Sequence, residues 1–430
     1  MLNLIFIFDF DGTLTCDESI PYIAKHFSEH KDKILDLTEK TINGYVPFEE
    51  GFRARVNLLK NLDKSEVSNL LSTIPVHINL LSFINNNKLN THIATGNLDV
   101  WINQALDKYN CHKHTSIAEI GNSGEVLGVK TILNKYELVK QLRSQGKFVV
   151  YIGDGNNDSM AMEASDISIG AGLVHHPADS VLEVADYAVY SENALLLLLN
   201  QIYSFFSKLQ YNKNYSVLLC AGTGSRLGLS VTKALIKINE TMLIQYHLNR
   251  LSADFDLVFV VVGFQLKEVI INSKDYWENI VYVINHSYSS KGPGHSLFLA
   301  VKYINNSIFV LDCDLIISRK SYLECLRLKH EFLGVSENRS NNPITVKLNN
   351  DKVISFDKSF SDSVTFEIER KDLEWTGPLN IHSSKIKSTD GQIFELLENL
   401  LPMSMFKVNA FDIDTMSDYV YAQQVFRNYQ

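Results

Sequence analysis

Short apolar runs at Leu4–Phe8, His92–Thr95, Phe148–Ile152 and Ile167–Ile169 alternate with longer segments of helical periodicity such as Tyr136–Gln145. Runs of this kind mark strands buried on both faces, and their alternation with helices predicts a parallel sheet covered by helices. Between Asp17 and Ile74 no comparable strand run occurs. Apolar residues there recur at helical spacing, which predicts a small helical insertion acting as a cap. Ala194–Phe206, interrupted by Asn200, Gln201 and Ser204, is shorter than the ~20 residues a bilayer crossing requires and reads as the closing helix of a first domain. After the polar stretch Lys208–Asn214 a second strand–loop–helix unit opens at Val217, and the alternation resumes through Val258–Val262, Ile280–Ile284 and Ile308–Leu311. The expected fold class is α/β, with two Rossmann-like three-layer domains: residues 1–207, with a helical cap at about 15–77, and residues 214–430.

Length agrees with that division, since 430 residues exceed the roughly 100–200 residues of one domain. Apolar residues at 45% against 21% charged suffice to fill two cores and exclude a disordered chain. The net charge of -9 is uneven: residues 1–205 hold 16 Lys/Arg against 25 Asp/Glu, and residues 206–430 hold 24 against 24. No uniformly basic face for nucleic acid is expected, and a small phosphorylated substrate or free nucleotide suits the chain better. Cys16, Cys111, Cys220, Cys313 and Cys325 form no paired framework, and the chain opens on a strand-like run without a charged leader. A cytoplasmic protein without membrane insertion is expected, with self-association into a homo-oligomer left open.

The first strand run ends in Asp9-Phe-Asp11-Gly12-Thr. Two carboxylates two residues apart on an extended chain point the same way, at the strand end where open α/β sheets hold ligands. Such a pair can bind a hard cation and divide nucleophile and acid/base roles. Downstream, Ala94-Thr95-Gly96-Asn97 puts a hydroxyl at another strand end, Lys135 opens a helix, and Gly153-Asp154-Gly-Asn-Asn157-Asp158 adds two acids after a third strand. Cys111-His-Lys-His114 is expected to be a polar turn, and His175-His176 a loop pair of the same kind, because no second Cys/His pair completes a metal site.

Over about residues 1–205 these four motifs together resemble the haloacid dehalogenase superfamily of phosphatases. The resemblance implies Asp9 as nucleophile and Asp11 as general acid and base. It places Mg²⁺ on Asp9, Asp154 and the backbone carbonyl of Asp11. Thr95, Gly96, Lys135 and Asn157 would hold the phosphoryl oxygens, and Asp158 would steady Lys135 or the metal shell. The insertion is similar to that of phosphoserine phosphatases: Glu18 follows the nucleophile motif, and Phe48-Glu-Glu-Gly-Phe-Arg-Ala-Arg55 matches their cap segment, implying that Glu18 and Arg55 grip the substrate's organic part. Thr95-Gly96-Asn97 departs from their usual Ser-Gly-Gly-Phe run, which admits a phosphorylated amino alcohol or polyol as well as an amino acid.

In the second half, Tyr215–Cys220 reads as a buried strand followed by Ala221-Gly222-Thr-Gly224-Ser225-Arg226-Leu-Gly228, with Lys233 one turn on. Glycines let backbone N–H groups approach a triphosphate, and Arg226 and Lys233 supply positive charge for the β and γ phosphates. The ending is not that of a Walker loop. Two further strand ends carry acids, Asp312-Cys-Asp314 and Asp412-Ile-Asp414.

Together these resemble the nucleotidyltransferases that activate sugar phosphates and choline phosphate, over about residues 215–425. The spelling is closest to phosphocholine and related cytidylyltransferases, although Thr232 stands where Pro is usual. The resemblance implies one Mg²⁺ on Asp314 and Asp414, so one in each domain. It implies a nucleotide contacted by Leu219, Ala221, Gly222, Gly224, Ser225, Arg226, Lys233 and Gly294, with CTP favoured. Gly292–Ser296 also resembles the base-reading stretch of uridylyltransferases, which keeps UTP open. Asp312 is expected to be a structural neighbour, and Trp375 a core residue that could instead face a cationic head group. The whole reads as a bifunctional enzyme serving surface-glycan or capsule synthesis, against an alternative in which one half only senses ligand.

Overall fold

The computed structural model describes residues 3–27, 30–42, 44–224, 227–228, 230–339, 343–358 and 373–429. The chain divides into two compact units, Met1–Lys208 and Leu209–Gln430. Among the described residues, no helix is long and apolar enough to cross a membrane.

The strands of the first unit are β1 (Leu4–Phe8), β2 (Thr91–Leu98), β3 (His112–Ile120), β4 (Val126–Thr131), β5 (Phe148–Gly153), β6 (Ile167–Ala171) and β7 (Tyr187–Val189). They lie in the order β7-β6-β5-β1-β2-β3-β4. All neighbours are parallel except β4, which closes the edge antiparallel to β3. All five residues of β1 are buried, which is why its sequence lacks any polar alternation. The helix Glu192–Ser207 starts at Ser191, whose side chain accepts the Ala194 N–H, and buries Leu195, Leu198, Leu199 and Ile202. Such an N-cap is worth about 1 kcal/mol.

The cap is four helices between β1 and β2: α1 (Ser19–Phe27), α2 (Lys31–Ile42), α3 (Phe48–Leu59) and α4 (Lys64–Ser72). Ile23, Ile34, Phe52, Val56, Leu59, Val67 and Leu71 are buried in it, the apolar stripes that helical spacing produces. It is tied to the sheet's loops by Asn156, whose Nδ2 donates to the carbonyls of Thr41 at 3.0 Å and Ile42 at 2.7 Å.

One expectation is corrected here: the Cys111–His114 segment is not a polar turn but leads into strand β3. His112 pairs with His92 of β2, and His92 Nδ1 lies 2.9 Å from His114 Nε2. Burial, with smaller contributions from His112 and His114, pushes the His92 pKa down to about 4. The polar letters hid a strand because a neighbouring histidine on β2 supplies the partners these imidazoles need.

The second unit contains β8 (Tyr215–Leu219), β9 (Lys237–Ile238), β10 (Thr241–Met242), β11 (Leu257–Val262), β12 (Ile280–Ile284), β13 (Ser307–Asp312), β14 (Leu315–Ile317), β15 (Phe332–Glu337), β16 (Ile344–Asn349), β17 (Lys352–Lys358), β18 (Leu373–His382), β19 (Met403–Lys407) and β20 (Ala410–Asp412). Strands β12, β11, β8 and β13 run parallel in that order. β18 then pairs antiparallel with β13 and carries β15 and β16. This antiparallel extension departs from the simple alternation read in the sequence. The turn between β16 and β17 is too short for a crossover and forces a hairpin. Residues of β16 are half-buried or exposed, so no apolar run announces it.

Candidate active sites

In the first unit the acids collect at the C-terminal ends of β1 and β5. Asp9 leaves β1 with its N–H on the Ile152 carbonyl at 2.8 Å, fixing it beside the loop that carries Asp154. Gly12 turns the chain with φ +72°, and a Cβ there would lie 2.6 Å from Asp154 Oδ2 and 2.9 Å from Glu18 Oε1; only glycine admits both that backbone and those oxygens. Thr13 Oγ1 donates to Asp154 Oδ1 at 2.6 Å. Asp11 accepts from both the N–H and the hydroxyl of Ser19, and Thr95 Oγ1 reaches its other oxygen at 3.3 Å.

Lys135, at the start of the helix Lys135–Ser144 capped by Asn134, is almost fully buried and bridges Asp9 Oδ1 and Asp158 Oδ1 at 2.7 Å each. The Tyr151 hydroxyl donates to the same Asp158 Oδ1, and the Gly155 N–H to Oδ2. Burial raises the Lys135 cost of charge, and Asp158 and Asp9 overcome it, leaving its pKa above the normal lysine value.

Burial and the negative charge of Asp158 push the Asp9 carboxyl well up, against the pull of Lys135. Burial, then Glu18, raises Asp11 to about 6 despite the hydrogen bonds from Ser19. Burial likewise raises Asp154. The ligand atoms of Asp9, Asp154 and Asp158 all lie within 4.8 Å of one another. This donor set of hard oxygens fits a divalent cation such as Mg²⁺.

Asp9, Asp11, Glu18, Arg55, Gly96, Asp154 and Asn157 line one cavity of about 80 Å³ under the cap. Thr95 and Lys135 stand behind it, in contact with Asp11 and Asp9. Arg55 is buried, donating from Nε to the Gly51 carbonyl at 3.1 Å and from Nη1 to Thr38 Oγ1 at 3.0 Å. Sequence reading missed His175. Its Nε2 lies 3.1 Å from both Glu18 Oε1 and Asp154 Oδ2. Burial opposes its charge, but the hydrogen bonds to Asp154 and Glu18 prevail and lift its pKa to about 11. The only signal was its place on the loop after β6, at the same sheet end as Asp9. Asn97 was also passed over, as a departure in the motif rather than a contact.

In the second unit, Leu219, Ala221, Gly222, Gly224, Lys233, Asp314 and Asp414 line a cavity of about 430 Å³. Gly224, at φ +65°, turns the chain so that Lys233 packs against it, and Thr232 Oγ1 donates to the Gly222 carbonyl at 3.1 Å. The two-stranded ribbon of β14 and β20 pairs Leu315 with Asp412, and the Ile413 N–H donates to the Asp314 carbonyl at 3.0 Å. That ribbon sets Asp314 beside Asp414 although a hundred residues of chain separate them. Lys233 Nζ touches both, at 2.5 Å to Asp314 Oδ2 and 2.6 Å to Asp414 Oδ1.

Asp312 and Asp412 share the cavity wall. Burial, then Asp314, raises Asp312 to about 7 and pushes Asp412 well up. Asp314 and Asp414, the two acids on Lys233, offer hard oxygens of the kind that suit a divalent cation. Gly294 does not reach this cavity: it packs on the turn at Thr389–Gln392, while its neighbours Pro293 and Ser296 line the wall. Its lack of a side chain serves that packing. Trp375 lines the cavity rather than an enclosed core, with its indole N–H buried and without a partner among the described residues. Ser225 and Arg226 lie outside the described residues. Thr223, Tyr288, Lys291 and Gln392 also line the wall and carried no motif.

Each of the two α/β units gathers acids and a lysine at its strand ends, the place where open α/β sheets hold ligands. Residues 4–166 match the haloacid dehalogenase-like hydrolase family and residues 216–337 the MobA-like NTP transferase domain family. The chain is a fusion of a domain from each. It is 27% identical over 207 residues to the bifunctional protein GlmU of Methanococcus vannielii, covering 46% of each chain. To the phosphoserine phosphatase of Archaeoglobus fulgidus it is 25% identical over 201 residues, covering 44% of this chain and 57% of that one. The chain thus spans about half the length of these curated relatives. Among solved structures, the CTP:phosphocholine cytidylyltransferase of Streptococcus pneumoniae aligns with 18% identity and a TM-score of 0.42, over 50% of this chain and all of that one.

Proposed function

We propose that the first unit is a phosphomonoesterase working through an aspartyl-phosphate, and that the second is a nucleotidyltransferase, with CTP favoured, joining a nucleotide to a small phosphorylated alcohol. The observation that carries the first reading is the buried Asp9 carboxylate, held by Lys135 within reach of Asp154. An Asp9 oxygen attacks phosphorus, the ester P–O bond breaks, and Asp11 gives its proton to the departing alkoxide. Asp11 then takes a proton from water, whose oxygen bonds to phosphorus as the aspartyl P–O bond breaks. An Asp11 raised to about 6 is suited to both transfers, because a group titrating near the working pH can give and take a proton. Thr95, Lys135 and Asn157 hold the phosphoryl oxygens. Glu18 and Arg55 face the organic part of a small amino acid, amino alcohol or polyol phosphate, a size consistent with the cavity of about 80 Å³.

For the second unit, the carrying observation is the convergence of Asp314 and Asp414 on Lys233 at the wall of a roomier cavity. An oxygen of the acceptor's phosphate attacks the α-phosphorus in line, and pyrophosphate leaves. Lys233 offsets the charge that builds there, and Arg226 would bind the leaving phosphates. In both units Mg²⁺, held by Asp9, Asp154 and the Asp11 carbonyl or by Asp314 and Asp414, would neutralise charge between carboxylates and phosphate. Trp375 on the wall offers an aromatic face to an ammonium head group of the acceptor. Both activities would serve one cytoplasmic route to a nucleotide-activated alcohol for a surface glycan.

Uridylyl transfer is the competing reading, because Pro293 and Ser296 of the stretch resembling uridylyltransferases line the same wall. Incubating the full chain with Mg²⁺, a panel of amino alcohol and polyol phosphates, and either CTP or UTP is expected to release pyrophosphate with CTP. Release with UTP alone moves the assignment to a uridylyltransferase. Release with neither removes the transferase reading.

A further inference from the structure

The second unit carries another cavity, of about 410 Å³, that shares no lining residue with the cavity at Lys233. Residues of the helices Leu243–Asp254 and Arg319–Arg327 supply most of its wall, which includes Thr241, Tyr246, Arg250, Asp254, Arg319 and Tyr322. Arg250 is held in place by neutral groups. Its Nη1 donates to the Ile317 carbonyl at 3.0 Å and to the Tyr246 hydroxyl at 3.1 Å, and its Nη2 to the Tyr429 carbonyl at 2.6 Å. The guanidinium carbon sits 4.4 Å from the centroid of the Tyr246 ring and 5.5 Å from that of Tyr322, contacts in which an aromatic face attracts a cation. A guanidinium has five N–H donors, so Nε–H and one hydrogen of Nη2 remain without an acceptor among the described residues.

Arg319 opens its helix and is exposed. Among the described residues neither it nor Arg250 has a carboxylate within ion-pair distance; Glu324, on the same helix as Arg319, is taken by Lys320 at 4.0 Å. The acid on the wall, Asp254, accepts the Tyr322 hydroxyl on Oδ2 at 2.8 Å, and its other oxygen has no partner among the described residues. Two arginines against one acid leave the wall positive. Like charges on one wall repel, and a dianion between them turns that repulsion into attraction.

We propose that this cavity is a binding site for a small phosphate monoester bearing a hydroxyl group, separate from the site at Lys233. The phosphate takes the open donors of Arg250 and the guanidinium of Arg319, and the hydroxyl donates to the open oxygen of Asp254. A phosphate suits the wall better than a carboxylate because its two charges match two arginines. Arg250 also links the cavity to the acids of the neighbouring site. Ile317, which Arg250 and Tyr246 hold by its carbonyl, ends β14, the strand that follows Asp314 and pairs with β20 ahead of Asp414.

Isothermal titration of the full-length chain with glycerol 3-phosphate, in EDTA and at low ionic strength, tests the assignment. Without a divalent cation the carboxylates of the two acidic centres repel a phosphate dianion, whereas the arginines need no metal. The expected result is one glycerol 3-phosphate per chain, bound more weakly as salt rises. Arg319→Ala removes an exposed side chain, so the fold should persist while binding weakens by about tenfold, the scale of one charged hydrogen bond. Arg250→Lys keeps the charge but not the planar fork and should also weaken binding, with circular dichroism checking its fold. Ethyl phosphate, which lacks hydroxyls, should bind less tightly than glycerol 3-phosphate, and Asp254→Ala should abolish that difference. Absence of metal-free binding, affinity unchanged in Arg319→Ala, or a hydroxyl preference retained in Asp254→Ala overturns the proposal. None of these outcomes touches the phosphatase or transferase reading.

Discussion

Replacing Asp9 by Asn is expected to lower phosphate release by on the order of 10⁴-fold or more and to leave pyrophosphate release unchanged. The substitution keeps the shape of the side chain and removes its charge. An amide oxygen is a far weaker nucleophile than a carboxylate, and the aspartyl-phosphate route has no substitute for it. Lys135 keeps its contact with Asp158 Oδ1 at 2.7 Å, so the lysine is not left buried without a partner and the loss reports chemistry rather than collapse. Colorimetric phosphate assay with a small phosphomonoester measures the first activity, and coupled pyrophosphate assay the second. Full phosphate release by the Asn variant contradicts a covalent role for Asp9.

The converse substitution is Asp314→Ala, expected to cut pyrophosphate release by on the order of 10² to 10³-fold with phosphate release from the first site intact. Asp314 reaches Lys233 Nζ at 2.5 Å, and Asp414 reaches the same atom at 2.6 Å. Removing one acid leaves the lysine paired with the other, so the cavity wall should persist while half of the cation's carboxylate clamp goes. The two variants separate two catalysts from a catalyst with a sensing module. If neither changes either reaction, the sites are not where the chemistry occurs.

The parts of this architecture that were legible in the sequence are those where one local run carries the information. Leu4–Phe8 is wholly buried, so its letters alone mark a central strand. Asp9, Asp11, Asp154, Asp314 and Asp414 sit at or just beyond strand ends, where sheet geometry sends side chains to a common rim. What stayed hidden depends on residues far apart in the chain. His175 has no motif around it, and only folding of its loop sets it against Glu18, 157 residues away. Strand β16 is half exposed and gains its place from pairing with β17, not from an apolar pattern. At Gly294 the sequence did not show that a Cβ would meet the Gly391 carbonyl at 2.8 Å, a close backbone approach set by residues about a hundred positions away. The polar spelling of Cys111–His114 concealed a strand because the compensating imidazole comes from His92.

Counting bound Mn²⁺ by electron paramagnetic resonance, as a stand-in for Mg²⁺, asks most directly whether each unit holds its own cation. Two ions per chain are expected in the unmodified protein, one after Asp154→Ala and one after Asp414→Ala. A single ion in the unmodified protein, or a count that neither substitution alters, contradicts the picture of two independent acidic centres.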